Sequence, residues 1–370
     1  MTLEEIWVRK PDFLYVPVVY SFVSEYDRWR KYIYSNSFLV SGYTLMNNKY
    51  PVDFFHDIKK NGYMIGDSGG FQKFSLGVNI NPKKLMKILQ KYCNIGFILD
   101  TPPNIKLNDN MPAMRLQFDK KNFDLYLQET IDMTKKMLEL YDESNFILGG
   151  VIHGVGYDTM RRWYDAVKEL YDFKFWGVAP KPSDDIFLVI KTLKYVDKFG
   201  IKDVHFLAFS GMRFLLFARY FQNKLKDIRI SFDSTAPFGK ASIRQYYVFK
   251  DFNIITFDWK RISYKDTNLV DIFNKIKRYV EKGTLLYKFW QDILNDQFKL
   301  EKESDISNVL YFNNLYALQD FIKMIVQMSQ EDLRDIIKVK YRNMNLNTLE
   351  SIFDKDDISL YNRRVVRREL

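Results

Sequence analysis

The feature that most constrains this chain is a recurrence. Short, nearly continuous apolar runs alternate with longer amphipathic stretches over about the first two-thirds of the sequence. The runs are FLYVPVVY (13–20), SFLVSGY (37–43), GYMIGD (62–67), IGFILD (95–100), FILGGVIHG (146–154), FKFWGVAP (173–180), VHFLAFSG (204–211) and IRISFD (228–233). Side chains alternate faces along a strand, so a run that is apolar at almost every position suits a strand covered on both faces, as in a parallel sheet. Helix signals lie between the runs. Asn81-Pro82 opens one helix, with Leu85, Met86, Ile88, Leu89 and Tyr92 on its inward face. Ser183-Asp184-Asp185 caps another, carrying Ile186, Val189, Ile190, Leu193 and Val196 until Gly200 ends it. Met160, Trp163, Val167 and Leu170 mark a third. Eight strands with helical crossovers in roughly 235 residues predict a TIM (β/α)8 barrel, whose usual size is about 250 residues. A doubly wound open sheet is the alternative.

The pattern changes after Asp233. FNIITFD (252–258) reads as one more strand, whereas DIFNKIKRYVEKG (271–283) and NNLYALQDFIKMIVQMSQEDLRDIIKVK (313–340) read as helix. The expected division is a barrel over 1–264 and a mainly helical C-terminal segment over 265–370. Neither a solenoid repeat nor a low-complexity linker is visible.

Composition narrows the partners. The 370 residues carry 56 Lys+Arg against 46 Asp+Glu, a net charge of +10 that favours a polyanionic partner. The terminal YNRRVVRREL adds Arg363, Arg364, Arg367 and Arg368, although a solvated helix end reads the same way. One cysteine excludes an intrachain disulfide framework and a cysteine-rich zinc site, and fits a reducing, cytoplasmic compartment. The start, MTLEEIWVRKPDF, has no apolar stretch of a secretory signal, and no window is apolar enough to span a bilayer, so no membrane partner is expected.

In a TIM barrel the chemistry sits at the C-terminal ends of the strands. Here the runs lead into Asp67-Ser68-Gly69-Gly70, Asp100-Thr101-Pro102-Pro103, His153-Gly154, Gly177-Val178-Ala179-Pro180, Ser210-Gly211 and Asp233-Ser234. An aspartate closing an apolar run is costly to bury unless paired or used. Capping of the next helix is the ordinary explanation for one such residue. Three of them, Asp67, Asp100 and Asp233, at equivalent strand ends would converge on one rim. Gly69-Gly70 lets the backbone approach a flat ligand, and Phe71 offers either a core side chain or a face for stacking. His56 and His205 read as structural, and Cys93 as a buried apolar residue.

DSGGFQ (67–72) resembles the signature of the tRNA-guanine transglycosylase superfamily, enzymes that exchange a guanine in a polynucleotide for a 7-deazaguanine. FILDTPP (97–103) resembles the segment with that family's base-recognising aspartate, GGVIHG (149–154) its G-I-x-Q-G stretch, and WGVAP (176–180) its G-G-L-A-V stretch. HFLAFSG (205–211) resembles its H-Y-L-x-G-x-G, and FDSTAPFGKA (232–241) the segment bearing the nucleophilic aspartate. The resemblance spans about residues 13–245 and, weakly, NNLYALQDFIKMI. It implies Asp233 as nucleophile, Asp67 as acid/base, and a base pocket of Ser68, Gly69, Phe71, Gln72, Asp100, His153, Gly177, Val178 and Ala208. It also implies that Asp100 accepts from the base's N1–H and amine, that backbone N–H near Gly177 meets O6, and that no cofactor is needed.

Four departures separate this chain from the tRNA enzymes. Their C-x-C-x-x-C…H zinc site is missing, Cys93 being the sole cysteine. His153 replaces a glutamine, and Trp176, Val178 and Pro180 replace Gly, Leu and Val along one expected pocket wall. Ala236-Pro237-Phe238 replaces the Pro-Thr-Arg after the nucleophile, leaving Lys240 and Arg244 as the basic candidates for phosphate contact. A compact, zinc-free relative with an altered nucleophile loop looks most like the DNA-guanine transglycosylases of viral genomes and bacterial modification clusters. The expected partners are therefore DNA and a free 7-deazaguanine base, acting in the cytoplasm, including a host cytoplasm for a viral protein. A tRNA substrate is the runner-up. A non-catalytic binding subunit and a guanine-releasing hydrolase are further alternatives.

Overall fold

The computed structural model describes residues 12–47, 50–105, 117–179, 186–209, 211–225, 227–260 and 263–355. Within them every apolar run forms a strand: β1 Phe13–Pro17, β2 Ser37–Ser41, β3 Tyr63–Asp67, β4 Ile95–Phe97, β5 Ile147–Ile152, β6 Trp176–Val178, β7 Asp203–Phe206 and β8 Arg229–Ser234. From β2 to β8 each strand pairs in parallel with the next, and β8 pairs with β1. The remaining seam, β1 to β2, closes through the Val18–Leu39 bridge, where the Val19 N–H donates to the Leu39 carbonyl at 2.8 Å. Eight parallel strands closed on themselves, with helices between them, make a TIM barrel rather than an open sheet.

Glycines shape the barrel's interior. A Cβ on Gly149 or on Gly177 would come within 3.0 Å of the Phe97 ring, so these two positions make the room that Phe97 fills. Phe97 stacks on Phe175 at 5.3 Å, and the pair forms an apolar floor under the strand ends.

The helices carry the expected faces. Pro82–Tyr92 starts where the Asn81 side chain accepts the Lys84 N–H at 3.0 Å, and it buries Leu85, Met86 and Leu89. Tyr157–Lys168 buries Met160, Trp163 and Val167. Ile186–Lys198 ends just before Gly200, whose φ is +75°, while its expected cap, Ser183 to Asp185, lies outside the described residues.

Beyond β8 the chain departs from expectation in three places. The helix expected over 271–283 is Leu269–Ile276, followed by one 3-10 turn at Lys277–Tyr279. The strand at Asn253–Asp258 (β10) forms, but it pairs antiparallel with Gln245–Lys250 (β9) in a hairpin outside the barrel. The long helix is two helices, Glu303–Gln327 and Gln330–Lys340. The break is a capping box: the Ser329 hydroxyl accepts the Asp332 N–H at 3.1 Å, and the Asp332 carboxylate accepts the Ser329 N–H at 3.3 Å.

Helix Glu303–Gln327 buries Asn313 and Asn314 completely, an arrangement that costs free energy unless every polar atom is used. Here they are used on the open edge of β9. Asn314 accepts from the Tyr247 N–H at 2.9 Å and donates to the carbonyls of Gln245 at 3.0 Å and Pro237 at 3.1 Å. Asn313 donates to the Tyr247 carbonyl at 2.9 Å and accepts from the Trp290 indole at 3.0 Å. Pro237 lies in the short helix Ala236–Ser242 directly after β8, so this pair ties the hairpin to the loop behind Asp233. Asn314→Leu strands three backbone groups, each worth about 1–3 kcal/mol. We expect a loss of roughly 3–5 kcal/mol in urea unfolding, and an effect below 1 kcal/mol would mean water reaches these groups. Among the described residues, no helix is long and apolar enough to cross a membrane.

Candidate active site

Asp67 ends β3 and Asp233 lies near the end of β8, both on the C-terminal rim, while Asp100 follows β4 by three residues. The chain leaves β3 through Gly69, at φ +84°, and enters helix Gly70–Leu76. Gly70 admits no side chain, because a Cβ there would sit 2.3 Å from Oδ1 of Asp100. The glycine pair therefore brings the β3 and β4 loops into contact. Asp100 and Asp233 both act electrostatically on Asp67. Burial pushes the Asp67 carboxyl up to about 7, the charges of Asp100 and Asp233 add to this, and the Gly69 and Ser68 N–H groups oppose it in part.

Asp100 is held on both oxygens. The Ser68 hydroxyl donates to Oδ1 at 2.8 Å, and Nε2 of His153 lies 2.6 Å from Oδ2. The His153 ring sits edge-on to Trp163, at 4.9 Å. Next to it, the Lys73 ammonium donates to the Thr101 hydroxyl at 2.8 Å and reaches Glu129 at 3.3 Å, which braces the turn after Asp100.

Asp233 is held on one oxygen. Nε2 of His205 lies 3.1 Å from Oδ1, the Ala208 N–H donates to the same atom at 3.0 Å, and Nδ1 of His205 meets the Ser231 hydroxyl at 2.9 Å. His205 is fully buried, as a structural residue should be, yet it also touches the candidate nucleophile, which the sequence reading missed. Strand alternation was the available signal, since Ser231 and Asp233 share one face of β8 and the register sets His205 opposite Ser231.

The remaining expected residues fall in different places. Phe71 is 46% exposed on the rim, and the Gln72 side-chain oxygen is buried with no hydrogen bond among the described residues. Gly177 lies in the ladder between Val151 and His205, over Phe97, and the Val178 carbonyl accepts the Leu207 N–H at 2.9 Å. Ala208 has a φ of +59°, and its N–H is the group that reaches Asp233. Trp176 packs outward, against Tyr164 at 4.8 Å, and its indole donates to the Phe173 carbonyl, so this departure from the family pattern does not face the mouth. Lys240 is exposed and bonded to Gln245 at 3.0 Å, whereas Arg244 is mostly buried and ion-paired with Glu303. Pro180, Ser210 and the terminal arginines lie outside the described residues.

Two tyrosines join the site from β1 and the loop after it. The Tyr15 hydroxyl donates to the Ser234 carbonyl at 3.0 Å, and Tyr20 stacks on Phe238 at 3.9 Å. Burial raises both phenols, and the charge of Asp233 contributes, so both remain neutral at working pH. Among the described residues, no group of three or more His, Cys, Asp or Glu is arranged to hold a metal ion. No protein-family model matches the chain, and a search of curated proteins finds no match.

Proposed function

We propose that this chain is a base-exchange transglycosylase that replaces guanine in DNA with a 7-deazaguanine through a covalent aspartyl–glycosyl intermediate. The observation that carries the reading is the convergence of three aspartates, Asp67 and Asp233 on their strands and Asp100 in the turn after β4, with separate roles available to them. One is held by donors on a single oxygen, one is engaged on both, and one has a carboxyl near 7 that can both give and take a proton.

Exchange at C1′ passes through an oxocarbenium-like state, as glycoside hydrolysis does. In the first displacement Asp233 forms a bond to C1′ while the C1′–N9 bond breaks. The electron pair of that bond goes to the departing guanine, which takes the proton of Asp67. In the second, the incoming base gives its N9 proton to Asp67 as its nitrogen bonds C1′, and the C1′–oxygen pair returns to Asp233. No external energy source or redox partner enters this balance.

Asp100 recognises the base. A carboxylate offers about four acceptor positions, so Ser68 and His153 leave two for the adjacent N1–H and 2-amino donors of a guanine-type ring. Phe71 on the rim supplies a stacking face, and the free acceptor of Gln72 lies in the same helix. A guanine inside a duplex has to leave the stack to reach such a mouth. DNA is favoured over tRNA by the absence of the cysteine-rich site and by the Ala236-Pro237-Phe238 loop, in which Phe238 stacks on Tyr20.

The test is incubation with guanine-containing DNA or tRNA and labelled guanine or 7-deazaguanine. Incorporation into DNA is expected. Label entering tRNA transfers the same chemistry to the runner-up substrate. Free guanine without incorporation identifies a hydrolase, and no reaction in either polymer a binding subunit.

A further inference from the structure

We propose that His205 is a positioning residue which, together with the Ala208 N–H, commits Oδ1 of Asp233 to hydrogen bonding and leaves Oδ2 as the atom that attacks C1′ and later departs from it. The assignment rests on the exchange reading above and adds to it which oxygen reacts and which step the imidazole serves.

The geometry is one-sided. Both donors to the Asp233 carboxylate, at 3.1 and 3.0 Å, meet the same oxygen, and among the described residues none meets the other. A carboxylate can only accept, so Nε2 of His205 carries the proton. In a neutral imidazole Nδ1 is then the acceptor, and the Ser231 hydroxyl at 2.9 Å is placed to donate to it. Ser231 thereby sets the tautomer that lets His205 donate. Neither side chain has an outlet to water, since both are at most 1% exposed and the imidazole packs at 5.6 Å from Phe97 and 6.3 Å from Phe175. Hydrogen bonds to charge are stronger in such a surrounding. Ala208 adds an independent sign of commitment. A non-glycine residue in the left-handed region costs about 1 kcal/mol or more, and here that conformation aims its N–H at Oδ1.

The two half-reactions feel these donors differently. During attack, the electron pair on Oδ2 forms the bond to C1′ and the carboxylate loses charge, so donors on Oδ1 give little help. During release, the C1′–Oδ2 pair returns to the carboxylate and charge reappears on Oδ1, against two donors already in place. Loss of the His205 donor should therefore slow breakdown of the glycosyl-enzyme more than its formation. A residue that merely fills the barrel would alter both alike.

The experiment compares wild type, His205→Met, His205→Gln and Ser231→Ala. Formation of the covalent adduct on an oligonucleotide and its release by added guanine are followed separately, with an unfolding midpoint for each protein. A hydrogen bond to a charged group is worth about 10- to 100-fold. We expect His205→Met to slow release by that factor while formation changes only a few-fold, so that adduct accumulates. His205→Gln, whose amide can reach the Nε2 position, should recover most of the release rate. Ser231→Ala should shift release in the same direction by less, and it carries the test if the Met variant fails to fold. Equal slowing of both steps in well-folded variants, or no rescue by Gln, overturns the role of His205. Absence of any Asp233-dependent adduct in the wild type is a different result: it removes the exchange reading itself, and this role with it.

Discussion

Asp233→Asn is expected to abolish the covalent adduct and to lower base exchange by about 10³-fold or more, the scale on which nucleophile deletions act. The substitution keeps the packing and hydrogen bonds around residue 233, although it also removes a charge that helps to raise the Asp67 carboxyl. An asparagine oxygen at the position of Oδ1 can still accept from His205 and from the Ala208 N–H, and the backbone pairing of residue 233 with Val16 is untouched. Stability in urea should accordingly stay within about 1 kcal/mol of wild type, so loss of activity cannot be assigned to unfolding. What disappears is a carboxylate oxygen able to bond C1′, since an amide nitrogen is not a nucleophile at this pH. Denaturing gel electrophoresis of protein with a guanine-containing oligonucleotide reads the adduct directly. Wild-type exchange by the Asn variant would show that another group, or none, bonds the sugar.

The barrel was legible because its strands are covered on both faces, and eight apolar runs cannot be hidden in 250 residues of helix. Their ends were legible only in part. The run IGFILD leaves the ladder after Phe97, so Asp100 reaches the mouth through a turn rather than at a strand end; Gly70 leaves it room. Asp67 and Asp233 could be placed from position alone. His205 could not, because a lone histidine in VHFLAF looks like packing until the register sets it against Ser231 and one step below Asp233. Asn313 and Asn314 show the same gap on a larger scale. In NNLYALQD they read as weak helix formers, and their use depends on the edge of a hairpin more than 60 residues earlier in the chain. Arg244 differs for a related reason. A basic residue near the proposed nucleophile suggests phosphate contact, but Glu303 on the C-terminal segment already holds its guanidinium. Local pattern identifies elements, whereas pairing between distant elements decides which polar group is free.

Asp67→Asn should make the protein less active and, above neutral pH, more stable. In the folded chain the carboxyl is pushed up to about 7 from an ordinary 3.8, by burial first and by Asp100 and Asp233 next. Between those two values the folded state holds a proton that the unfolded state has released. Stability therefore falls as pH rises from about 4 to about 7 and levels off above it. The full shift corresponds to about 4 kcal/mol at 1.36 kcal/mol per pH unit, and partial opening to the mouth reduces that to roughly 2–4 kcal/mol. An asparagine carries no charge and escapes this cost, so the variant should exceed wild type by that amount in urea unfolding at pH 8 and match it near pH 4. Exchange should fall by about 10²–10⁴-fold, as expected for loss of a general acid/base, and should lose any inflection near pH 7. The proposed acid role should have its own signature in the wild type: base departure should weaken as pH rises through 7 while capture of the incoming base strengthens. A stability difference that stayed constant from pH 4 to 8 would mean that neither burial nor the other two carboxylates raises Asp67, and the acid/base role proposed for it would be lost.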